Sequence, residues 1–353
     1  MTVSGSEGEA HVDVAIVGAG PVGLAAAIEA RMAGLSVVVI EPRSFPIDKA
    51  CGEGLMPGAV AALSRLGVHP EGAPIAGFRY ADGRRSADYR FRGEAGLGVR
   101  RTALHDALAR RAEELGVGRV DARAAAVVQN EGGVTVGGVR ASWLFACDGL
   151  HSTVRRVAGL ERSGPVAARR RFGLRRHYAI TPWTDLVEVH WTAGAEAYVT
   201  PLAGDEVGVA VLGPPHTDFD DALDRMPELR MRLSSAASVD PLRGAGPLLQ
   251  RSRARSVGRI LLLGDASGYV DALTGEGIRV GLAHARAAVA AITADETNPG
   301  LRYGREWSRV SRDFRVLTSA LLAVAQSPAR PLIVPAARAL PRAFGAVVER
   351  LAR

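Results

Sequence analysis

Gly18, Gly20 and Gly23, spaced Gly-x-Gly-x-x-Gly, are the first residues whose type and spacing carry chemistry. In such a run the first glycine permits a tight turn, the second lets backbone approach a diphosphate, and the third lets a helix pack closely on a strand. The apolar stretch Val12–Val17 precedes them and an alanine-rich helical stretch runs on to about Ala33. Gly34 ends that helix, and Ser36–Ile40 is a second buried strand closing on Glu41. A diphosphate at the start of this helix would meet free N–H groups and the positive end of the helix dipole. Glu41, eighteen residues past Gly23, stands where a carboxylate accepts hydrogen bonds from an adenosine ribose. A purely structural glycine turn is the alternative. The strand before, the helix after and the acid at this distance favour dinucleotide binding.

Two further acids end apolar runs. Trp143–Cys147 leads into Asp148-Gly149, and Ile260–Leu263 into Gly264-Asp265. Both acids are expected at the carboxyl edge of a sheet, where open α/β sheets bind ligands; helix N-capping is the competing role. Thr274-Gly275-Glu276-Gly277-Ile278 opens the next helix, whose N-terminus stabilises an anion by about 0.3–1 kcal/mol. Lys49-Ala-Cys51-Gly52-Glu53-Gly54-Leu-Met-Pro57 is a glycine-rich loop ahead of a helix. Nothing in the sequence pairs Cys51 with a base, so a nucleophilic role is disfavoured. Cys51 and Cys147 lie in unrelated contexts and are expected to be reduced, and the eight histidines show no metal-ligand spacing. His151 and His190 are read as solvated or satisfied.

The elements that must position these residues follow from periodicity. Helix formers occupy Pro57–Leu66 and Thr102–Leu115, and hairpins are predicted over Ile75–Phe91 and Ala126–Val139. Alternating strands from Arg171 to Leu212 predict an antiparallel sheet. The net charge of +7 and pI near 10 raise a nucleic-acid reading, but Lys49 is the only lysine and aromatics are 5% and not interleaved with the arginines. No nucleic-acid partner is expected. Met1–Glu9 is a Gly/Ser-rich leader without an apolar core, and no apolar run reaches the ~20 residues of a membrane span. A cytoplasmic protein is expected. Near the C-terminus, Phe314, Leu317, Leu321 and Val324 recur at helical spacing, as do Leu340, Phe344, Val347 and Leu351, with Arg338, Arg342, Arg350 and Arg353 opposite the second set. Such a basic amphipathic helix can lie on an anionic membrane. Packing on the rest of the chain or in a homodimer is preferred, because alanine-rich faces suit close helix contacts.

Cys147-Asp148-Gly149-Leu-His-Ser152-Thr-Val-Arg155 resembles the Asp-Gly motif of the flavoprotein hydroxylase and geranylgeranyl reductase superfamily, and Gly264-Asp265-Ala266-Ser-Gly268 resembles its Gly-Asp motif. Arg101, followed by Leu104, is similar to the family's arginine beside the diphosphate and flavin. The resemblance extends over residues 10–290. It implies FAD as cofactor and NAD(P)H as electron donor, docking transiently because no second Gly-x-Gly-x-x-Gly is present. It implies that Asp265 bonds the ribityl chain or diphosphate link, that Asp148 helps close the groove, and that Gly275, Gly277 and Ile278 aim a helix N-terminus at the flavin. Glu41 and Arg43 join this cofactor-binding set. The Cys51 segment is similar to the one lying over the flavin's active face in geranylgeranyl and menaquinone reductases, which makes Cys51, Glu53 and Tyr198 substrate-cavity candidates.

The chain also departs from its relatives. Ala272 replaces a usual proline. Tyr198-Val-Thr-Pro201 stands where the reductases have Tyr-x-Trp-x-Phe-Pro, and the halogenases' Trp-x-Trp-x-Ile-Pro is absent. The expected fold is α/β: a Rossmann-like FAD-binding domain from 10–75, 97–160 and 252–295, an inserted antiparallel β-sheet substrate domain from 76–96 and 161–251, and C-terminal helices over 296–353. The expected activity is FAD-dependent monooxygenation, hydroxylating or epoxidising an apolar polyketide- or terpenoid-like molecule of secondary metabolism. The alternatives are reduction of an isoprenoid or quinone-tail double bond and, from another class, a non-catalytic flavin or lipid carrier.

Overall fold

Val14–Val17 is apolar on both sides because it runs through the middle of a sheet covered on both faces. A computed structural model describes residues 11–162, 170–294 and 297–353; the Met1–Glu9 leader lies outside the described residues. Strand His11–Val17 pairs in parallel with Val37–Ile40 on one side and Val139–Ala146 on the other. Gly118–Val120 extends the sheet beyond the first, and Ile260–Leu262 beyond the second, both parallel. Val127–Asn130 and Gly133–Val136 form an antiparallel meander with Val139–Ala146. The register decides where the site lies. Val17 is opposite Ile40 and Ala146, and Ala146 is opposite Leu262. The residues that follow, Gly18, Glu41, Asp148 and Asp265, therefore leave the sheet at one carboxyl edge, at the switch point where the chain goes from the central strand to opposite sides.

Helix Pro21–Met32 starts with proline at N1 and buries Ala25, Ala26, Ala27 and Ala30. It packs on helix Gly277–Thr293, which buries Ala285, Ala288 and Ala291. Contact is so close at Gly281 that a Cβ there would lie 2.3 Å from Val22 Cγ2. The long helix Pro299–Ala325 braces the sheet from behind: Tyr303 Oη donates to Leu262 O (2.6 Å) and Trp307 Nε1 to Ser267 Oγ (2.8 Å).

The second sheet is mostly antiparallel. Phe172–Ala179, Glu206–Gly213, Glu196–Leu202 and Leu186–Trp191 are adjacent in that order, and the hairpin Gly77–Ala81/Ser86–Arg90 joins through a parallel pairing with Leu186–Trp191. Alternation divides its faces. Val199, Val209 and Val211 pack on helices Phe219–Asp224 and Pro227–Leu233, whereas Tyr198, Ala210 and Leu212 face the groove between the sheets.

The C-terminal helices differ from the periodicity. Phe314 is buried, but Val324 is 39% exposed. On the last helix, Pro341–Ala352, the buried residues are Gly345, Val348 and Ala352, while Leu340 and Val347 are exposed. The Tyr89 ring sets this face: it fills the space of a Gly345 side chain, whose Cβ would lie 2.2 Å from the ring. Phe344 packs against Tyr80 at a centroid distance of 4.9 Å. Arg350 pairs with Asp313 (2.7 Å). Among the described residues no single helix is long and apolar enough to cross a membrane.

Candidate functional site

The glycine loop divides its labour. A Cβ on Gly18 would lie 2.6 Å from Cys147 O, and one on Gly23 would lie 1.8 Å from Gly18 O. These two glycines hold the strand, turn and helix together. At Gly20 the nearest atom to a Cβ is Arg101 Nη2, 3.9 Å away, so its open side faces a groove that Arg43, Arg101, Asp148, Asp265 and Gly275 also line. Behind the turn, His105 Nε2 lies 3.0 Å from Ala19 O, and burial lowers the basicity of this fully buried ring.

Glu41 is 2% exposed. Oε2 accepts from Ala19 N (3.0 Å), and Arg43 donates through Nε to Oε1 (2.8 Å) and through Nη2 to Oε2 (2.9 Å). Burial pushes this carboxyl up, but the Arg43 pair and the Ala19 N–H outweigh it and leave it below the usual range. The N-cap of helix Thr153–Val157 is Ser152, not Asp148; Asp148 Oδ2 accepts from Val154 N (3.0 Å) in the first turn, while Oδ1 is buried without a partner. Asp265 caps no helix. Its 3-10 turn, Gly264–Ser267, lacks a side-chain cap, and its carboxylate lines the groove. Arg155, 1% exposed, ties the two motifs by donating to Ala266 O (3.1 Å) and Leu150 O (2.8 Å). The helix at Gly277 opens on the same groove, beside Gly275 with φ +71°. Burial pushes the Cys147 thiol well above its ordinary range, which makes it inert.

The opposite wall is built from side chains. Cys51 and Glu53 line the groove, and Cys51 Sγ lies 3.4 Å from Glu53 N. Glu53 has φ +59°, a conformation costing a non-glycine residue about 1–3 kcal/mol. Its carboxylate holds it there: Oε1 accepts from Arg101 N (2.8 Å) and Oε2 lies 2.5 Å from His177 Nε2. Both Glu53 oxygens are thus hydrogen-bonded within the protein. Tyr198 also lines the groove, but its hydroxyl is committed to Leu273 O (2.7 Å). Thr200 Oγ1 donates to Gly52 O (2.7 Å) and fixes the loop to the sheet.

His177 and Asp240 escaped sequence reasoning. His177, 2% exposed, places Nδ1 2.6 Å from Asp240 Oδ2, and Arg175 donates to the same oxygen (2.8 Å) and to Asp48. Each ring nitrogen faces a carboxylate oxygen, and Arg175 Nη1 also lies 2.9 Å from Nδ1. Burial raises the Asp240 carboxyl, but its bonds to His177 and the Arg175 charge outweigh this and hold it below its ordinary range. The only hint in the sequence is Arg175 and His177 two apart in a strand, two polar side chains on one face. His151 and His190 are satisfied by Gly246 O and Glu188. Among the described residues no cluster could hold a metal ion.

Residues 11–176 match the family described as FAD binding domain. Menaquinone reductase of Mycolicibacterium smegmatis is 35% identical over 330 residues, covering 80% of this chain and 77% of that protein. The 6-methylpretetramide 4-monooxygenase of Streptomyces rimosus is 35% identical over 175 residues, 43% of this chain and 41% of that protein. Among solved structures, p-nitrophenol 4-monooxygenase of Pseudomonas putida shares the fold, with a TM-score of 0.79 at 20% identity, covering 97% of this chain and 98% of that one.

Proposed function

Because this chain belongs to the family of FAD-dependent oxidoreductases that joins flavoprotein hydroxylases to menaquinone and geranylgeranyl reductases, we propose that it reduces a carbon–carbon double bond in an apolar, isoprenoid- or quinone-like substrate. Its residues fit FAD. Asp148 Oδ1 and Arg101 Nε are buried without partners, and Gly20 opens to the groove at a helix N-terminus. The loop at Gly20 would take the diphosphate, Glu41 and Arg43 the adenosine ribose, Arg101 and Asp265 the ribityl–diphosphate link, and the Gly275–Ile278 helix start the flavin ring. Bound FAD supplies hydride transfer, with NAD(P)H as the source of electrons.

The observation that carries this reading is the buried hydrogen-bonded row Glu53–His177–Asp240 beside the Cys51 loop. Reducing a double bond forms two C–H bonds, one from a hydride and one from a proton. The row Glu53–His177–Asp240, which runs from the groove wall to a carboxylate whose side chain is 21% exposed, would relay that proton from solvent to the groove. The loop and Tyr198 would shape the cavity and exclude water. Monooxygenation is the second reading, favoured by the likeness to the S. rimosus enzyme over 43% of the chain. The M. smegmatis reductase is 35% identical over 80% of the chain, against 28% over 78% for a monooxygenase of Claviceps purpurea, and this higher identity at similar extent puts reduction first. As the relatives are reductases and monooxygenases, the chain is an enzyme and the carrier reading is set aside.

The test is anaerobic. Reduced, FAD-loaded protein mixed with an isoprenoid quinone should reoxidise its flavin and give a product heavier by two carbon-bound hydrogens in its tail, a gain that survives reoxidation of the quinone ring in air. A product heavier by one oxygen, formed only in air, overturns reduction in favour of monooxygenation.

A further inference from the structure

Tyr269 lines the flavin groove on one side and a second, larger cleft on the other. This cleft encloses about 1300 Å³ between the Asp82–Arg85 turn, the end of strand Leu186–Trp191, the Leu249–Arg251 segment and the last turns of helix Pro299–Ala325. Most small-molecule sites span ~300–1,000 Å³, so there is room for an entire second ligand. Trp191, Leu322 and Val334 give the cleft an apolar floor.

Its rim is cationic and poorly neutralised. Arg171 and Arg330 reach the cleft but are paired with the fully buried Glu196, and Arg171 also with Asp271. Among the described residues, Arg84, Arg85, Arg251 and Arg315 have no carboxylate partner. The one acid lining the cleft, Asp82, uses Oδ1 on the backbone N–H groups of Arg84 and Arg85. Burial and the Arg251 charge hold the Arg315 guanidinium below its ordinary range. Behind it, Arg255 stacks on Trp307 at 3.8 Å and is lowered to about 10 by burial and then by Arg315. Two arginines, Arg255 and Arg315, thus lie over the Trp307 ring, with the Arg251 charge acting on Arg315. Separately, Trp191, 6% exposed, has a buried indole N–H without an acceptor.

We propose that this cleft is a second binding site, for a molecule carrying a phosphate or diphosphate ester on an apolar or aromatic body. Arg251 and Arg315 take the phosphate oxygens, for which the planar guanidinium fork is suited, and the Trp191–Leu322–Val334 floor takes the body. Two sources share this chemistry: a phosphorylated amphiphile, and the diphosphate of the nicotinamide dinucleotide. The site does not depend on the reaction assigned to the groove, because binding to it is measured without turnover.

The experiment is calorimetric titration of oxidised, FAD-loaded protein at low salt with dodecyl phosphate, with NADPH, and with dodecyl maltoside as the uncharged control. At least one phosphate ligand should bind, and R251Q/R315Q should weaken it roughly tenfold or more, as losing charge-assisted bonds does. Dodecyl phosphate as the tighter ligand identifies the amphiphile source, and NADPH as the tighter identifies the dinucleotide. Unchanged flavin content in the variant separates this site from the groove. If that variant loses flavin, R84Q/R85Q on the exposed turn makes the same test, with an expected loss of roughly threefold. The proposal is overturned if neither phosphate ligand binds, if the folded variant binds as tightly as the parent, or if dodecyl maltoside binds as well as dodecyl phosphate.

Discussion

The two walls of the groove are made by opposite means. The wall proposed for FAD is mostly backbone: the turn at Gly18–Gly23 and the helix starts at Pro21 and Gly277, brought to one edge by strand register. The wall proposed for substrate is mostly side chains, with Glu53 on a loop, His177 on a strand and Asp240 beyond it, meeting across 124 and 63 residues of sequence. A backbone wall fails when a Cβ is added, and a side-chain wall fails when a partner is removed.

The largest expected effect tests the first half of that contrast. Gly20→Val adds a side chain only on the groove side, so the protein should fold normally yet lose FAD affinity by 100-fold or more, about 3 kcal/mol. Gly23→Ala, with its Cβ 1.8 Å from Gly18 O, should lower thermal stability before flavin binding is even measured. Flavin titration and melting of both variants check this; Gly20→Val with parental affinity would show that the diphosphate lies elsewhere.

The second prediction concerns the side-chain wall. His177→Ala strands Glu53 in the interior, and breaking a buried pair costs about 3–5 kcal/mol, less here because Asp240 is partly exposed. His177→Gln keeps a donor for Glu53 and should fold, but it carries no transferable proton. Its turnover should fall roughly 100-fold, with flavin reduction by the electron donor unchanged and a larger solvent isotope effect on product formation. A Gln variant with parental turnover and pH profile would reduce His177 to a structural strut.

The same contrast explains what could be read in advance. The placement of Gly18–Gly23, Asp148 and Asp265 at one carboxyl edge was legible because it is set within a few residues by a strand end or a helix start. The Glu53–His177–Asp240 chain was not, because its members are ordinary in their local context and acquire meaning only when the second sheet packs on the Cys51 loop. The last helix failed for a related reason. Its apolar spacing pointed to Leu340 and Val347, but the absence of a side chain at Gly345 let Tyr89 choose the neighbouring face.

A smaller effect comes from the one deeply buried acid at the helix start of the FAD wall. Glu276 is raised to about 7, first by burial, against which the Arg279 charge and hydrogen bond act. The fold favours its protonated form relative to an unfolded value of 4.5, so its contribution is present below that value and lost as pH rises through about 7. Glu276→Gln is neutral throughout and can still accept from Arg279. It should match the parent in acid and exceed it by about 1–3 kcal/mol above about pH 8. Parallel stability–pH curves would show that Glu276 is not the titrating group.

The smallest effect belongs to Cys51, where the two walls come closest in kind. Its thiol lines the groove and accepts from the Glu53 N–H at 3.4 Å, and among the described residues no histidine or carboxylate is hydrogen-bonded to it. A serine hydroxyl accepts the same N–H and preserves the loop, while replacing a soft, apolar surface with a smaller polar one. Cys51→Ser should therefore leave flavin content and flavin reduction intact and lower turnover by roughly two- to fivefold, a change of about 0.5–1 kcal/mol in the barrier. Rapid-mixing kinetics with product analysis separate the two half-reactions. Complete loss of turnover, with a thiol adduct recovered from the parent enzyme by mass spectrometry, would move Cys51 from the cavity lining to the reacting atoms.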